Sequence, residues 1–408
     1  MITTFYPPFN FGGDGIFVQR LSRELVRRGH HVEVIHCVDS YRSLAPRDIT
    51  TNQAEQSGVI VHSLRSPFGW LSPLATQQTG FPLFKARKIS RILEKGFDVI
   101  NYHNISLVGG PGLLRYGTGI KLYTLHEYWL LCPMHILFKF NREPCETKSC
   151  LLCSASYKRP PQLWRYTQLL ESAVAHVDRF ICPDRFTAAK HLEMGLKIPI
   201  VHMPHFVPFD DRASGSFKPD TSGNPQDRPY FVFVGRLEKL KGLQTVIPVF
   251  RRYPKANLLI AGTGTYERHL RQLAEGSDNI HFLGFQTGAK LDQLYRDAIA
   301  VIAPSINYEV APPLVIMEAF RQKTPAIVRK LGSMPEIIEE SGGGLIYETD
   351  EQLIAALDRL LEDISYRTLL SERAYQALQE KWTPDAYLEK YLGLIHELME
   401  SRRRAPRA

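Results

Sequence analysis

Residues 230–243 read YFVFVGRLEKLKGL, a run of five apolar residues followed by a glycine and a basic loop. Such an uninterrupted run is typical of a strand buried on both faces of a parallel sheet. Related runs recur downstream with helical segments between them: NLLIAGTG (257–264), NIHFLGF (279–285), AIAVIAPS (298–305) and TPAIVRK (324–330). This alternation predicts an α/β domain with a parallel sheet and helices on both faces.

The first half of the 408-residue chain has the same alternation. An amphipathic helix at 16–29 is followed by four short apolar runs: HVEVIHC (31–37), GVIVHSL (58–64), DVINYHN (98–104) and KLYTLHEYW (121–129). We therefore expect two parallel-sheet domains, an N-terminal one at 1–207 and a C-terminal one at 230–383.

Residues 208–229 are rich in Pro, Gly, Ser and Asp and lack apolar periodicity, which predicts a linker between the domains. Near the other end, Thr383 and Pro384 are typical of the start of a helix. We expect this helix, within 384–408, to cross back to the N-terminal domain.

The formal net charge is +8, and its excess lies in the first half, where residues 1–205 carry 24 Lys and Arg against 15 Asp and Glu. A basic half is compatible with nucleic acid, anionic lipid or an anionic substrate as a partner, or with an ordinary solvated surface. Because no nucleic-acid-binding motif is present, we expect no nucleic-acid partner. The chain has neither a signal-peptide pattern nor a membrane-spanning run, so the expected location is cytoplasmic.

Basic residues and glycines follow the predicted strands of the C-terminal domain. Arg236 and Lys241 flank the turn after the first strand, where two cations can grip one phosphate group. Two surface cations near a turn are the plain alternative. Gly262 and Gly264 follow the next strand and can let the backbone approach a ligand. They do not complete the G-x-G-x-x-G fingerprint, which argues against a nicotinamide enzyme.

The segment PSINYEVAPPLVIMEAF (304–320) carries two acidic residues in different settings. Glu309 lies in a loop after a strand, whereas Glu318 lies within a helix that starts near Pro313. The amino end of such a helix favours a diphosphate, and Glu318 lies deeper, where a ribose diol could be held. The alternative for each is an ordinary solvated acid.

Taken in order, the motifs GRLEKLKG, LLIAGTG, NIHFLGF, PSINYE…LVIMEAF and GSMPEII resemble the nucleotide-binding domain of retaining glycosyltransferases of family four, which have the GT-B fold. The resemblance is strongest from about 230 to 345. It continues more loosely into the first half, through FGGDGIFVQRLSRELVRRGHHVEVI and YTLHEYW. It implies two Rossmann-like domains facing across a cleft.

The resemblance also implies roles for individual residues. Arg236 and Lys241 hold the donor diphosphate and stabilise it as the leaving group. Glu318 holds the ribose hydroxyls, and Glu309 contacts the donor sugar. His126 faces that sugar, although a histidine ending a buried strand is also commonly a core residue. The remaining donor-binding positions are Gly12, Gly13, Gly262, Gly264, Gly284, Phe285 and Leu314.

The implied activity is transfer of a hexose-type sugar from a nucleoside-diphosphate sugar to an acceptor hydroxyl, with retention, in glycan, glycolipid or polysaccharide synthesis. The sequence contains no D-x-D motif, so we expect no catalytic metal. A nucleotide-sugar epimerase or another enzyme on the same scaffold is the alternative. One departure is notable: eight residues separate Glu309 from Glu318, one more than in the family's pattern, which makes the position of Glu309 less certain.

Two further features bear on partners. Cys132, Cys145, Cys150 and Cys153 fall within 22 residues and are candidate ligands of a structural zinc ion, with four free thiols as the alternative.

The segment LFKARKISRILEKGF (83–97) combines five basic residues with an apolar stripe. It is interpreted either as a surface helix packed on the sheet or as a contact with the inner face of an anionic membrane, which would suit a lipid-linked sugar acceptor.

Overall fold

The computed structural model describes residues 1–45, 57–208, 228–311 and 313–404. It divides into two compact units, one of Met1–Phe206 with Pro384–Ala408 and one of Val207–Thr383. Most of the predicted linker, residues 209–227, lies outside the described residues. Within the described ranges, no helix combines the length and the apolar character that a membrane span requires.

The first unit is built on a parallel sheet. Its strands are β1 (Glu33–Cys37), β2 (Ile60–Leu64), β3 (Val99–Tyr102), β4 (Ile120–Thr124), β5 (Phe138–Lys139), β6 (Glu143–Pro144), β7 (Arg179–Cys182) and β8 (Ile200–His202). The parallel order is β2-β1 and β3-β4-β7-β8, and Ile2 joins the two parts because it bridges both Ile35 and Tyr102. Ile2, near the start of the chain, therefore lies in the middle of the sheet.

Seven helices accompany these strands in the described part of this region. They are α1 (Gly13–Arg27), α2 (Val38–Leu44), α3 (Leu71–Thr79), α4 (Ala86–Leu93), α5 (Cys150–Ser156), α6 (Leu169–Val174) and α7 (Arg185–Glu193). Helix α1 buries Phe17, Val18 and Leu21 against the sheet residues Ile120 and Leu122. The alternation of strand and helix is interrupted between β4 and β7, where β5 and β6 form a small antiparallel hairpin beside α5.

The second unit is a six-stranded, fully parallel sheet in the order β11-β10-β9-β12-β13-β14. Its strands are β9 (Tyr230–Val234), β10 (Asn257–Ala261), β11 (Ile280–Gly284), β12 (Val301–Ala303), β13 (Ala326–Arg329) and β14 (Gly344–Tyr347). The strand order reverses between β9 and β12. In open parallel sheets, ligands bind beyond the carboxyl ends of strands at such a reversal.

Helices on both faces bury this sheet. They are α8 (Leu243–Arg251), α9 (Glu267–Leu273), α10 (Ala289–Arg296), α11 (Leu314–Arg321), α12 (Met334–Ser341), α13 (Asp350–Glu362) and α14 (Ile364–Lys381). Alternate residues of β9 belong to different hydrophobic cores. Phe231 and Phe233 pack into one core, whereas Tyr230 and Val232 pack into the other. Burial on both faces explains why the strands are continuous apolar runs, and the predicted α/β fold with parallel sheets is confirmed.

The last helix, α15 (Pro384–Arg404), belongs to the first unit. Its buried stripe includes Tyr387, Leu388 and Tyr391, which share a core with Phe17 of α1. Tyr391 also accepts a hydrogen bond from Asn101 Nδ2 at 3.1 Å, where β3 runs through the sheet. The end of the chain therefore completes the core of the unit that contains its beginning.

Candidate active site

The loops that follow β9 and β12 meet at the strand reversal of the second unit. Ile306 N–H donates to the Leu240 carbonyl at 2.9 Å, which ties the two loops together. Beside this contact, Lys241 Nζ donates to Glu309 Oε1 at 2.7 Å. Both side chains are largely buried, with 25% and 15% of their surfaces exposed, respectively. Two residues separated by 68 positions are thus joined at the edge where parallel sheets bind ligands.

Two serines complete the surroundings of Glu309. Ser305 Oγ donates to Glu309 Oε1 at 2.6 Å, and Ser333 Oγ donates to the Glu309 carbonyl at 2.8 Å. Burial alone would raise the pKa of Glu309, but Lys241, Ser305 and the charge of Arg236 outweigh it and hold that pKa below its ordinary value. Glu309 is therefore an ionised, firmly held carboxylate at neutral pH.

Arg236 is the second cation of this group. Its side chain is exposed, and no described residue hydrogen-bonds it or forms an ion pair with it. Its charge nevertheless helps to lower the pKa of Glu309, so it lies near the Lys241–Glu309 pair. A guanidinium free of protein partners is suited to bind a diphosphate through two N–H groups.

Gly262 and Gly264 have a packing role that the sequence did not reveal. A Cβ atom at Gly262 would overlap the carbonyl oxygen of Gly235, and one at Gly264 would overlap that of Leu237. Gly262 also has a left-handed φ of 141°, which disfavours any other residue. The loop after β10 is therefore pressed against the loop after β9, and the two glycines shape the edge that carries Arg236.

The other predicted donor-binding residues of the second unit lie at the same edge of the sheet. Gly284 ends β11, its carbonyl accepts from Gly262 N–H at 2.7 Å, and Phe285 beyond it is 75% exposed. Leu314 begins α11, and Glu318 lies half-buried within that helix. Because α11 starts at Leu314, the extra residue between the two glutamates lies in the preceding loop, where the buried Ala311 has a left-handed φ of 62°.

His126 of the first unit belongs to a cluster of three histidines beyond the carboxyl ends of β3, β4 and β8. Its Nε2 lies 2.9 Å from His103 Nδ1, and its ring lies 5.1 Å from that of His205. Phe17 stacks on His205 with 4.0 Å between the ring centroids. Burial lowers the pKa of His126 to about 4 despite the opposing charge of Asp14, so the ring is neutral at pH 7.

The glycine loop before α1 lies in the same unit. Gly12 is the N-cap of α1, and the helix begins at Gly13. A Cβ at Gly12 would have ordinary van der Waals contacts, whereas a Cβ at Gly15 would overlap the Asn10 side chain. Packing therefore requires a glycine at Gly15, which sequence reasoning did not single out. The ligand contacts that the resemblance implies for Gly12, Gly13 and His126 stay predictions.

Sequence reasoning missed four polar residues that contact predicted ones: His103, His205, Ser305 and Ser333. A usable signal existed for two of them. His103 lies near the end of the predicted run at 98–104, and Ser305 ends the run at 298–305. The carboxyl ends of parallel strands share one edge, so polar residues at these positions could have been expected near the site. Ser333 lies in the quoted motif GSMPEII without having been singled out, and His205 carries no comparable local signal.

The four clustered cysteines lie in the interrupted region between β4 and β7, and all four line one small cavity.

The basic residues of segment 83–97 have different surroundings in the structure. The ammonium group of Lys85 is buried and donates to Ser72 and Thr76, so it is not on the basic surface. Lys95 pairs with Glu33 at 2.8 Å, which leaves Arg87, Lys88 and Arg91 exposed while Ile89 packs inward.

Comparison with known proteins agrees with this architecture. The family described as Glycosyltransferase Family 4 matches residues 11–211, and the one described as Glycosyl transferases group 1 matches residues 216–377. The D-inositol 3-phosphate glycosyltransferase of Corynebacterium glutamicum is 30% identical over 386 residues, covering 90% of this chain and 87% of that one. The chain aligns with only about half the length of some curated relatives, 47% and 51% in two of them.

Solved structures with low sequence identity share the fold. A sucrose-phosphate synthase from Thermosynechococcus elongatus superposes with a TM-score of 0.72 at 17% identity, covering 98% of both chains. Anabaena Alr3699/HepE in complex with UDP-glucose gives a TM-score of 0.65 at 16% identity, covering 98% of this chain and 99% of that one. The chain therefore belongs to the glycosyltransferases of family four, the glycosyl transferases group 1, and has their GT-B fold.

Proposed function

We propose that this protein transfers a hexose from a nucleoside-diphosphate sugar to an acceptor hydroxyl, with retention of the anomeric configuration. The observation that carries the proposal is the Lys241–Glu309 pair beside Arg236, which has no partner among the described residues, at the strand reversal of a parallel sheet. The HepE structure contains UDP-glucose, which supports a donor of this class.

The chemistry of the donor explains why two cations are needed. A nucleoside diphosphate leaves with negative charge accumulating on its phosphate oxygens. Preorganised cations stabilise that charge, and removal of one such group typically costs about 3–4 kcal/mol of transition-state stabilisation. Arg236 offers a planar fork and Lys241 a point charge, so together they can hold two phosphate groups.

The proton of the acceptor hydroxyl is best accounted for by the donor itself. Glu309 is held as a carboxylate by Lys241 and Ser305, so it is better suited to orient the sugar than to serve as a general base near pH 7. In front-face transfer, the C–O bond to the diphosphate breaks, the acceptor oxygen bonds to the same face of the sugar, and the leaving phosphate takes the proton. In this scheme, Arg236 and Lys241 stabilise the negative charge of the leaving diphosphate without a catalytic metal.

The acceptor is proposed to be anionic or lipid-linked, as expected for glycolipid or polysaccharide synthesis. The excess of positive charge in residues 1–205 supports an anionic acceptor. The relative from Corynebacterium glutamicum is named for D-inositol 3-phosphate, an acceptor that carries a phosphate.

The surface around α3 and α4 supports contact with an anionic membrane. Trp70 is 62% exposed, and the exposed rings of Phe68 and Phe84 lie 4.3 Å apart. Arg87, Lys88 and Arg91 on α4, which begins two residues after Phe84, are exposed as well. Aromatic rings beside cations suit the interface of a bilayer that contains acidic lipids.

A donor panel tests the proposed reaction. The purified protein is incubated with UDP-, GDP-, ADP- and dTDP-sugars, with and without phosphorylated or lipid-linked acceptors, and products are followed by NMR. We expect consumption of one donor class and a product with the donor's anomeric configuration. Inversion would overturn retention, and a changed donor sugar without transfer would identify an epimerase instead.

Two variants test the assignment of the site. Arg236→Ala and Lys241→Ala are each expected to lower turnover by about 10²–10³-fold. Arg236→Ala should leave thermal unfolding unchanged, whereas Lys241→Ala also removes the partner of the largely buried Glu309 carboxylate and should lower the unfolding temperature. Lys255→Ala is the matched control, because Lys255 pairs with Asp358 on the surface of the same unit. Near-normal turnover in both site variants would overturn the phosphate assignment.

A further inference from the structure

We propose that Cys132, Cys145, Cys150 and Cys153 form a structural zinc site. All four line one cavity of about 10 Å³ in the region between β4 and β7. Cys132 precedes the β5–β6 hairpin, Cys145 follows it, and Cys150 and Cys153 lie on the first turn of α5. The topology thus brings together thiols from three separate elements, which spacing alone did not establish.

The size and lining of the cavity select the kind of ligand. A volume near 10 Å³ is about that of one water-sized sphere, which is enough for a single ion. The lining residues include the four cysteines and Met194, a thioether, but no carboxylate and no imidazole. Thiolate ligands favour soft or borderline cations, and four of them form the usual tetrahedral arrangement around structural zinc.

Backbone N–H groups already point at two of the sulfur atoms. Burial raises the pKa of Cys132, and hydrogen bonds from the N–H groups of Met134, Leu137 and Ile136 oppose that effect. Phe140 N–H donates to Cys153 Sγ at 3.4 Å. Such hydrogen bonds stabilise negative charge on sulfur, and outer hydrogen bonds of this kind orient metal ligands.

Left-handed residues in the same loop explain how the chain presents those N–H groups. His135 and Leu137 have φ angles of 71° and 44°, and Phe140 and Asn141 have 52° and 57°. Alternation of right- and left-handed residues turns successive N–H groups to one side, which creates a concave site for negative charge. Here that site faces the sulfur ligands.

The charge of the proposed site is balanced by its neighbours. A zinc ion with four thiolates is a dianion, and the ammonium-bearing residues Lys139 and Lys148 line the same cavity. Lys148 Nζ also donates to the Met194 carbonyl at 2.8 Å, beyond the end of α7. The site would therefore fasten the irregular region to the neighbouring helix.

Zinc binding would require the cysteine side chains to move. In the described residues, no three of the sulfur atoms lie within 4.8 Å of one another. Zinc–sulfur bonds are about 2.3 Å long, so the thiols must turn inward around the ion. Cys150 is the least buried of the four, and we expect its side chain to make such a turn.

Metal analysis of the full chain tests the proposal. The protein is purified under reducing conditions without added metal or chelator, and metals are quantified by mass spectrometry. We expect about one zinc per chain, falling to roughly a tenth or less in Cys150→Ser and Cys153→Ser. Cys37→Ala and Cys182→Ala are the controls, because these cysteines lie in β1 and β7, and they should keep the zinc.

A second measurement uses the unmodified protein, so that misfolding of a variant does not obscure the result. A mercurial reagent is added to the native protein, and zinc release is followed with a chromogenic chelator while blocked thiols are counted. Release of about one zinc as four thiols react supports the site. Absence of metal with all thiols free, disulfides among the four, or iron with sulfide would each overturn it.

Discussion

Lys241 Nζ lies 2.7 Å from Glu309 Oε1, so the cation assigned to the donor diphosphate already holds a carboxylate of the chain. The pair neutralises itself while the donor is absent. In the proposed reaction, a bound diphosphate would give Lys241 a second anionic partner and would leave Glu309 beside the sugar. The pairing would then couple diphosphate binding to the placement of the proposed sugar-orienting carboxylate.

This relationship predicts opposite effects of Glu309→Gln on binding and on turnover. The amide keeps the shape but removes the charge that competes for Lys241. Affinity for the free nucleoside diphosphate should rise by about fivefold, as expected for a pair worth ~1 kcal/mol. Turnover should fall at the same time, because the sugar loses its charged partner.

Calorimetric titration and steady-state kinetics measure these two effects. Glu362→Gln, an exposed substitution at the end of α13 in the same unit, is the control and should change neither. Weaker nucleotide binding in Glu309→Gln would show that the carboxylate does not compete with the phosphate.

Buried histidines predict a loss of stability in weak acid. The pKa values of His36, His126 and His191 are each lowered to about 4, chiefly by burial. In the unfolded chain they are near 6.5, so the unfolded state binds more protons between these values. Stability is therefore complete above about pH 6.5 and is lost as the pH falls towards 4, by about 1.4 kcal/mol per pH unit for each histidine.

Urea unfolding between pH 7.5 and 5 measures this slope. His191→Gln should make it shallower by the contribution of one histidine. His396→Gln, a substitution of a mostly exposed side chain on α15, should leave it unchanged. A slope that His191→Gln does not alter would contradict the assignment of His191.

Gly262→Ala should strongly destabilise the second unit. The new methyl group would overlap the Gly235 carbonyl oxygen, and the left-handed φ of 141° disfavours alanine. We expect the free energy of unfolding to fall by about 2–3 kcal/mol. Nucleotide binding should also weaken, because the loop after β10 must move away from the loop after β9, which carries Arg236. Thermal unfolding and nucleotide titration provide the measurements.

Gly393→Ala is the matched control for that substitution. It lies on the exposed face of α15, where a Cβ meets no atom within 4 Å. Alanine there should stabilise the helix by about 0.5–1 kcal/mol. Equal stability of the two variants would show that close packing at Gly262 is not limiting.

Membrane binding should depend on the surface of α3 and α4. The double variant Arg87→Glu and Arg91→Glu should lose most binding to vesicles with acidic lipids, since each cation near such a surface contributes about 1 kcal/mol. Flotation with acidic and with neutral vesicles provides the measurement. Arg252→Glu, an exposed substitution in the second unit, is the control. Flotation of the unmodified protein that does not depend on acidic lipid would refute the electrostatic contact.

Part of the site was predictable because strand ends share an edge in a parallel sheet. The run at 230–234 and the loop carrying Arg236 and Lys241 correspond to β9 and its following loop. The pairing of Lys241 with Glu309 was not predictable, because it depends on how two loops 68 positions apart approach each other. The burial of Lys85 was likewise hidden, since helical periodicity alone places a lysine on the surface.

Local pattern therefore determined the α/β class, the parallel sheets and the order of the motifs, because periodicity and breakers act over a few residues. The tertiary structure decided which of those residues meet. It pairs Lys241 with Glu309 and places His103 and His205 beside His126. It also brings four thiols together around one cavity. Such contacts arise from packing between distant segments, and burial then sets their charge states, so neither can be read from spacing along the chain.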